Sequence, residues 1–144
     1  MSHRSLQLEL PCSSKIVKTL KIFFKKRPEI LLAFLFGSFA RNHMHLSSDI
    51  DIGILFKTVP EMETLHDLTE GLSSILTREV DLAVLNYASP ILKMQILKNG
   101  ILLFASNKKY YYQFFTDTIN QYDDLKHIRK NCEENILRGR IYAG

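Results

Sequence analysis

Leu31-Leu32-Ala33-Phe34-Leu35-Phe36-Gly37-Ser38, followed after a polar stretch by Asp49-Ile50-Asp51-Ile52-Gly53-Ile54-Leu55-Phe56, is the part of the chain that decides its fold. The first run is apolar, of strand length, and ends on a glycine, which reads as a buried strand leading into a sharp turn. The second begins in strict alternation. In a strand, successive side chains point to opposite faces, so Asp49 and Asp51 share one face while Ile50 and Ile52 share the other. Ser38–Ser48 is the loop between them.

Working outward, the upstream segment carries Ile16, Val17, Leu20, Phe23 and Phe24 at helical spacing, with lysines on the opposite face. Ser13 or Ser14 is positioned to cap this helix, Pro28 ends it, and residues 1–12 read as a loose arm. Downstream, Pro60 breaks the chain, and Met62, Leu65, Leu68, Leu72, Ile75 and Leu76 keep a helical period. Val80–Leu85 is a third strand. Ser89-Pro90 has the form of an N-cap followed by proline at the first helical position. That helix stops at Asn99-Gly100, and Ile101–Phe104 is a fourth strand. From Asn107 to Gly139 no proline or glycine intervenes, and the apolar residues fall three or four apart. This predicts one long helix, or two broken near Asp117. The order of elements predicts an α/β (α+β) sandwich with helices packed on a sheet. The whole chain, 1–144, is read as one domain with residues 107–139 as a C-terminal helical extension.

Composition is consistent with a globular domain. The chain has 144 residues, 46% hydrophobic and 24% charged, and a net charge of +4. No apolar run approaches the roughly 20 residues needed to span a bilayer. The N-terminal residues lack a signal-peptide layout. Cys12 and Cys132 stand far apart with no metal-ligand pattern around them, as expected of free thiols in the cytoplasm. The basic clusters Lys25-Lys26-Arg27 and Lys108-Lys109 are short. Together with Tyr110-Tyr111-Tyr112 and Phe114-Phe115 they do not make the basic stripe that nucleic-acid binding requires. Those aromatics read as core and interface. His43 and His45 lack a third ligand and read as surface residues.

The chemistry is concentrated around the acidic strand. A glycine after a buried strand lets backbone approach a ligand closely, and its neighbours can offer amide hydrogens and the Ser38 hydroxyl to phosphate oxygens. Two carboxylates pointing the same way can share a hard cation such as magnesium. A third carboxylate, Asp81, lies inside the apolar run Val80-Asp81-Leu82-Ala83-Val84-Leu85, where aspartate is disfavoured unless it has a task. If that strand lies beside the acidic one, three carboxylates converge, a set suited to metal-assisted phosphoryl transfer.

Gly37-Ser38-Phe39-Ala40-Arg41 followed by Ser48-Asp49-Ile50-Asp51-Ile52 resembles the signature of the DNA polymerase beta-like nucleotidyltransferase superfamily. The G-S-F-A-R form and the short chain are similar to the minimal nucleotidyltransferases (MNT), commonly the antitoxin halves of HEPN–MNT toxin–antitoxin pairs. The resemblance implies a short mixed sheet packed against helices. It implies that Gly37, Ser38 and Arg41 contact the nucleotide, and that Asp49, Asp51 and Asp81 are the catalytic, magnesium-binding residues. Where the family often has glycine after the arginine, this chain has Asn42, which tolerates the left-handed conformation better than most residues. The implied activity is Mg2+-dependent transfer of AMP from ATP to a protein hydroxyl, a tyrosine of a cognate HEPN toxin, in a type VII-like antitoxin. Two other readings stand beside it: a silent antitoxin that neutralises by contact, and a small-molecule nucleotidyltransferase of the aminoglycoside type. The expected partners are ATP and the HEPN toxin, or a second copy of the chain, docking along Asn107–Arg138.

Overall fold

The computed structural model describes residues 11–37 and 49–143, with side chains described over 15–37 and 49–138. The alternating acidic strand is β2, Ile50–Phe56, and the apolar run before it is β1, Ile30–Phe36. They are flanked by α1 (Pro11–Lys25), α2 (Met62–Leu76), β3 (Val80–Val84), α3 (Pro90–Asn99), β4 (Ile101–Ala105) and α4 (Lys108–Ala143). The strands form one mixed sheet in the order β3-β2-β1-β4. β1 runs antiparallel to both β2 and β4, whereas β2 and β3 are parallel. Parallel neighbours need a crossover, and α2 supplies it.

The period-two pattern of β2 is what divides the molecule into layers. Ile50, Ile52 and Ile54 are fully buried with Leu20 and Phe24 of α1 and Leu68 and Leu72 of α2. Their opposite face carries Asp51, Gly53 and Leu55. On that side Leu32 and Phe34 of β1 pack with Leu85, Ile96 of α3 and Phe114 of α4. Helices therefore cover both faces. Gly53 is where the second layer comes closest: a Cβ there would lie 3.1 Å from Leu85 Cδ2 and 3.3 Å from Ile96 Cδ1.

Two helix boundaries illustrate the local rules. At α3, Ser89 Oγ accepts from the Leu92 N–H at 3.2 Å and Pro90 occupies the first turn, as the sequence predicts. At α1 the expectation is corrected: the helix starts at Pro11, ahead of Ser13 and Ser14, so neither serine stands at its cap. Proline tolerates a first-turn position because its missing N–H has no intrahelical partner there. Residues 1–10 of the expected arm lie outside the described residues.

α4 is one continuous helix with no break near Asp117. At ~1.5 Å per residue it is about 54 Å long, well beyond the sheet it leans on. Phe114 and Thr118 are buried, but from Lys126 to Arg138 every residue is exposed, including Ile128 and Ile136 at 58% each. The first turns of α4 thus belong to the core, and its second half leaves the domain. Phe114→Ala should cost about 3–5 kcal/mol, the range for emptying a buried phenylalanine site. Ile128→Ser should leave the urea midpoint unchanged. Equal losses for both would show that the distal half is part of the cooperative core.

Candidate active site

Pairing brings the acidic residues together. Asp51 on β2 is in register with Asp81 on β3. Partners in register share a face, and adjacent strands lie about 4.8 Å apart, so the two carboxylates stand side by side. Asp49 sits just before β2, two residues from Asp51. The junction is tied to β3 by the Ile50 N–H donating to the Glu79 carbonyl at 3.0 Å. At the far end, Asn86 extends the pairing like a short piece of strand. Its Nδ2 donates to the Phe56 carbonyl at 2.8 Å, and its Oδ1 accepts from the Phe56 N–H at 2.9 Å. Sequence reasoning assigned Asn86 no role, because a lone amide after a strand carries no signal by itself.

On its other flank Asp51 faces the end of β1, opposite Phe36. The next residue, Gly37, has φ +77°, in the left-handed region. A Cβ built on Gly37 would fall on the Asp51 carboxylate. Glycine is therefore required here twice, for its backbone angle and for its lack of a side chain. Ser38 and Arg41, the other two expected nucleotide contacts, lie outside the described residues, as do His43 and His45.

Asp51 is half-buried while Asp49 and Asp81 are exposed. Burial pushes the Asp51 carboxyl above its ordinary value of 3.8, and the charges of Asp81 and then Asp49 push it further in the same direction. Among the described residues, no three acidic, histidine or cysteine side chains are already gathered closely enough to hold a metal ion. Like charges side by side favour separation, so closing such a set requires a cation between them. The donor chemistry fits one. Carboxylate oxygens are hard ligands suited to Mg2+, and a cation at Asp51 would relieve the strain that raises its pKa.

This arrangement has relatives. The polymerase beta nucleotidyltransferase model matches residues 18–109. The chain belongs to the polymerase beta nucleotidyltransferase family. It is 29% identical over 120 residues to the protein adenylyltransferase MntA of Shewanella oneidensis, covering 83% of this chain and 86% of that protein. A chain from a crystal structure of a toxin–antitoxin with AMP-PNP superposes with a TM-score of 0.69 at 30% identity, covering 87% of this chain and 98% of that one. A chain from the complex of tri-AMPylated Shewanella oneidensis HEPN toxin with MNT antitoxin superposes at 0.64 and 28% identity, covering 88% and 96%. The family and the mixed-sheet fold expected from Gly37–Arg41 and Ser48–Ile52 are both borne out.

The raised Asp51 pKa makes a nucleotidyltransferase domain of this kind pH-sensitive in a defined direction. A folded pKa above the unfolded one means that the native state binds the proton more tightly. Its stability is then fully present below the unfolded value near 3.8 and declines as pH rises through the raised folded value. In the absence of divalent cations, Asp51→Asn should therefore be more stable than the parent at neutral pH and lose that advantage under acid conditions. Millimolar Mg2+ should raise the melting temperature of the parent and not of the variant. Thermal melts across a pH series, with and without Mg2+, test this; identical curves for the two proteins would show that Asp51 bears no such load.

Proposed function

We propose that the protein is a Mg2+-dependent adenylyltransferase that moves AMP from ATP to a tyrosine hydroxyl of a cognate HEPN toxin, acting as a type VII-like antitoxin. The observation that carries this reading is the in-register placement of Asp51 and Asp81 with Gly37 against the Asp51 carboxylate. The relatives support the choice of donor and acceptor. One is named a protein adenylyltransferase, one structure carries AMP-PNP, and another pairs an AMPylated HEPN toxin with an MNT antitoxin.

In this reading the Gly37 turn, with Ser38 and Arg41, receives the triphosphate on the β1 flank of Asp51. Asp49, Asp51 and Asp81 are the residues that would hold Mg2+, which when bound would offset triphosphate charge and favour the ionised acceptor hydroxyl. The tyrosine oxygen attacks the α-phosphorus and a new P–O bond forms. The bond from the α-phosphorus to the bridging oxygen breaks, and pyrophosphate leaves with that electron pair. The hydroxyl proton passes to the Asp81 carboxylate, which lies on the flank away from the glycine turn.

A single domain spans the chain, and the distal half of α4 lies within the expected docking stretch Asn107–Arg138. Its exposed Ile128, Ile136 and Leu137 support contact with the toxin rather than with nucleic acid. A cytoplasmic setting accompanies this proposal. Among the described residues, no helix is long and apolar enough to cross a membrane.

Incubation with the HEPN protein and ATP labelled at the α-phosphate should put label on the toxin. Asp49→Asn and Asp51→Asn should each lower the rate by about 10²-fold or more, the scale of losing one preorganised electrostatic group. Label transfer at the parental rate by either variant would overturn the assignment.

A further inference from the structure

The sheet order leaves β3 at an edge: among the described residues it pairs with β2 alone. Its whole length, Val80–Val84, forms the floor of a groove of about 510 Å³. One wall is a face of α2 carrying Met62, Leu65 and Thr69; the other carries Tyr87 and Leu92. Met62 and Tyr87 on the rim are 79% and 65% exposed, large apolar side chains that the core does not use. Asp81 lies in the same groove.

We infer that this groove binds an extended segment of the acceptor protein, which pairs with the open edge of β3 and delivers its tyrosine to Asp81. The inference rests on the adenylyl-transfer reading above and adds where the acceptor lies. Three observations carry it. The groove is continuous with the site, because Asp81 belongs to both. It is on the flank of Asp51 opposite Gly37, so an acceptor there and a triphosphate at the glycine turn approach from two sides, as in-line transfer requires. Its charge selects the occupant: no lysine or arginine lines it and its one histidine, His66, is paired with Glu70, which disfavours a phosphate chain, and a single lining carboxylate is too little for a polycationic small molecule. Among the described residues, what the floor offers is strand backbone unpaired along its outer side between largely apolar walls, the requirement for strand addition. Five strand residues at ~3.3 Å each span about 17 Å, so the bound segment is about five residues long.

The test uses the full chain and a fluorescein-labelled octapeptide of alternating valine and threonine around a central tyrosine. A matched peptide has its alternate backbone amides N-methylated. Anisotropy should show binding of the first peptide and at least about tenfold weaker binding of the second. Met62→Lys and Tyr87→Ala, both at exposed positions, should weaken the first peptide by about tenfold while affinity for a fluorescent ATP analogue with Mg2+ stays unchanged. In transfer assays the same variants should raise KM for the peptide and leave kcat within about twofold, the pattern of lost ground-state binding. Equal binding of both peptides, no binding, or parental affinity in the groove variants would overturn the inference. So would a parental dimer that Tyr87→Ala converts to monomer, since the edge would then belong to a second copy. Peptide that binds as expected but never receives AMP would leave the groove standing and remove the transfer reading instead.

Discussion

The register between β2 and β3 is the constraint on which everything else depends. It sets Asp51 beside Asp81, an arrangement that electrostatics alone opposes. It persists because the same register buries Ile50, Ile52 and Ile54 on the other face. Burying a side chain of this size is worth about 1.5–3 kcal/mol, an upper estimate relative to a realistic unfolded chain. A slip by one residue would turn those isoleucines toward the carboxylate side and the aspartates into the core. The core therefore holds the acidic pair in place, and the period-two alternation couples stability on one face to chemistry on the other. Asn86 reinforces this by grasping both the N–H and the carbonyl of Phe56 where β3 has ended.

Gly37 depends on that register too. Because β1 pairs antiparallel with β2 so that Phe36 meets Asp51, the turn after β1 emerges directly at the acidic face. A side chain there would displace the Asp51 carboxylate, so the glycine serves the spacing of the site as well as the turn. The turn and the half-buried carboxylate are one unit: the strand pairing that sets Asp51 beside Asp81 also brings the Gly37 backbone against it.

Much of this could be read from the residues because it follows from local chemistry. Strict alternation marked β2, the Ser89-Pro90 pair marked the start of α3, and the lack of proline or glycine between Asn107 and Gly139 predicted one long helix or two broken near Asp117, of which the structure shows the first. What could not be read is non-local. Val80-Asp81-Leu82-Ala83-Val84 looks like a fully covered strand, yet Asp81 is exposed and Leu82 and Ala83 are only half-buried, because the strand is at an edge. Strand order decides that, and hydropathy does not encode strand order. The alternating face of Asp49 and Asp51 was evident from spacing, whereas the register that sets Asp81 against Asp51 required the crossover geometry. The start of α1 was misplaced because serine caps and first-turn prolines are rival signals a few residues apart, and at α1 the proline prevails. In α4, apolar spacing stays helical past the point where the domain has surface to cover, and Ile128 and Ile136 are exposed on the stretch expected to dock a partner.

The proposed division of labour across Asp51 would let one small fold keep its chemistry while changing what it modifies. The β1 flank is built from residues with little freedom: a glycine at positive φ, a buried strand and a half-buried carboxylate. The β3 flank is different in kind. Among the described residues its backbone edge is open, one wall is a face of α2 and the other carries the loop residue Tyr87 and Leu92 of α3, and Met62 and Tyr87 contribute little to the core. Substitutions there alter a groove without disturbing the isoleucine face that holds the register. The distal half of α4 has the same independence, since every residue from Lys126 to Arg138 is exposed. On the proposed reading, donor handling is bound to the stability of the sheet, while acceptor choice rests on surfaces that the fold does not need. Specificity in such a domain changes at its periphery because that is where substitutions are least costly to folding.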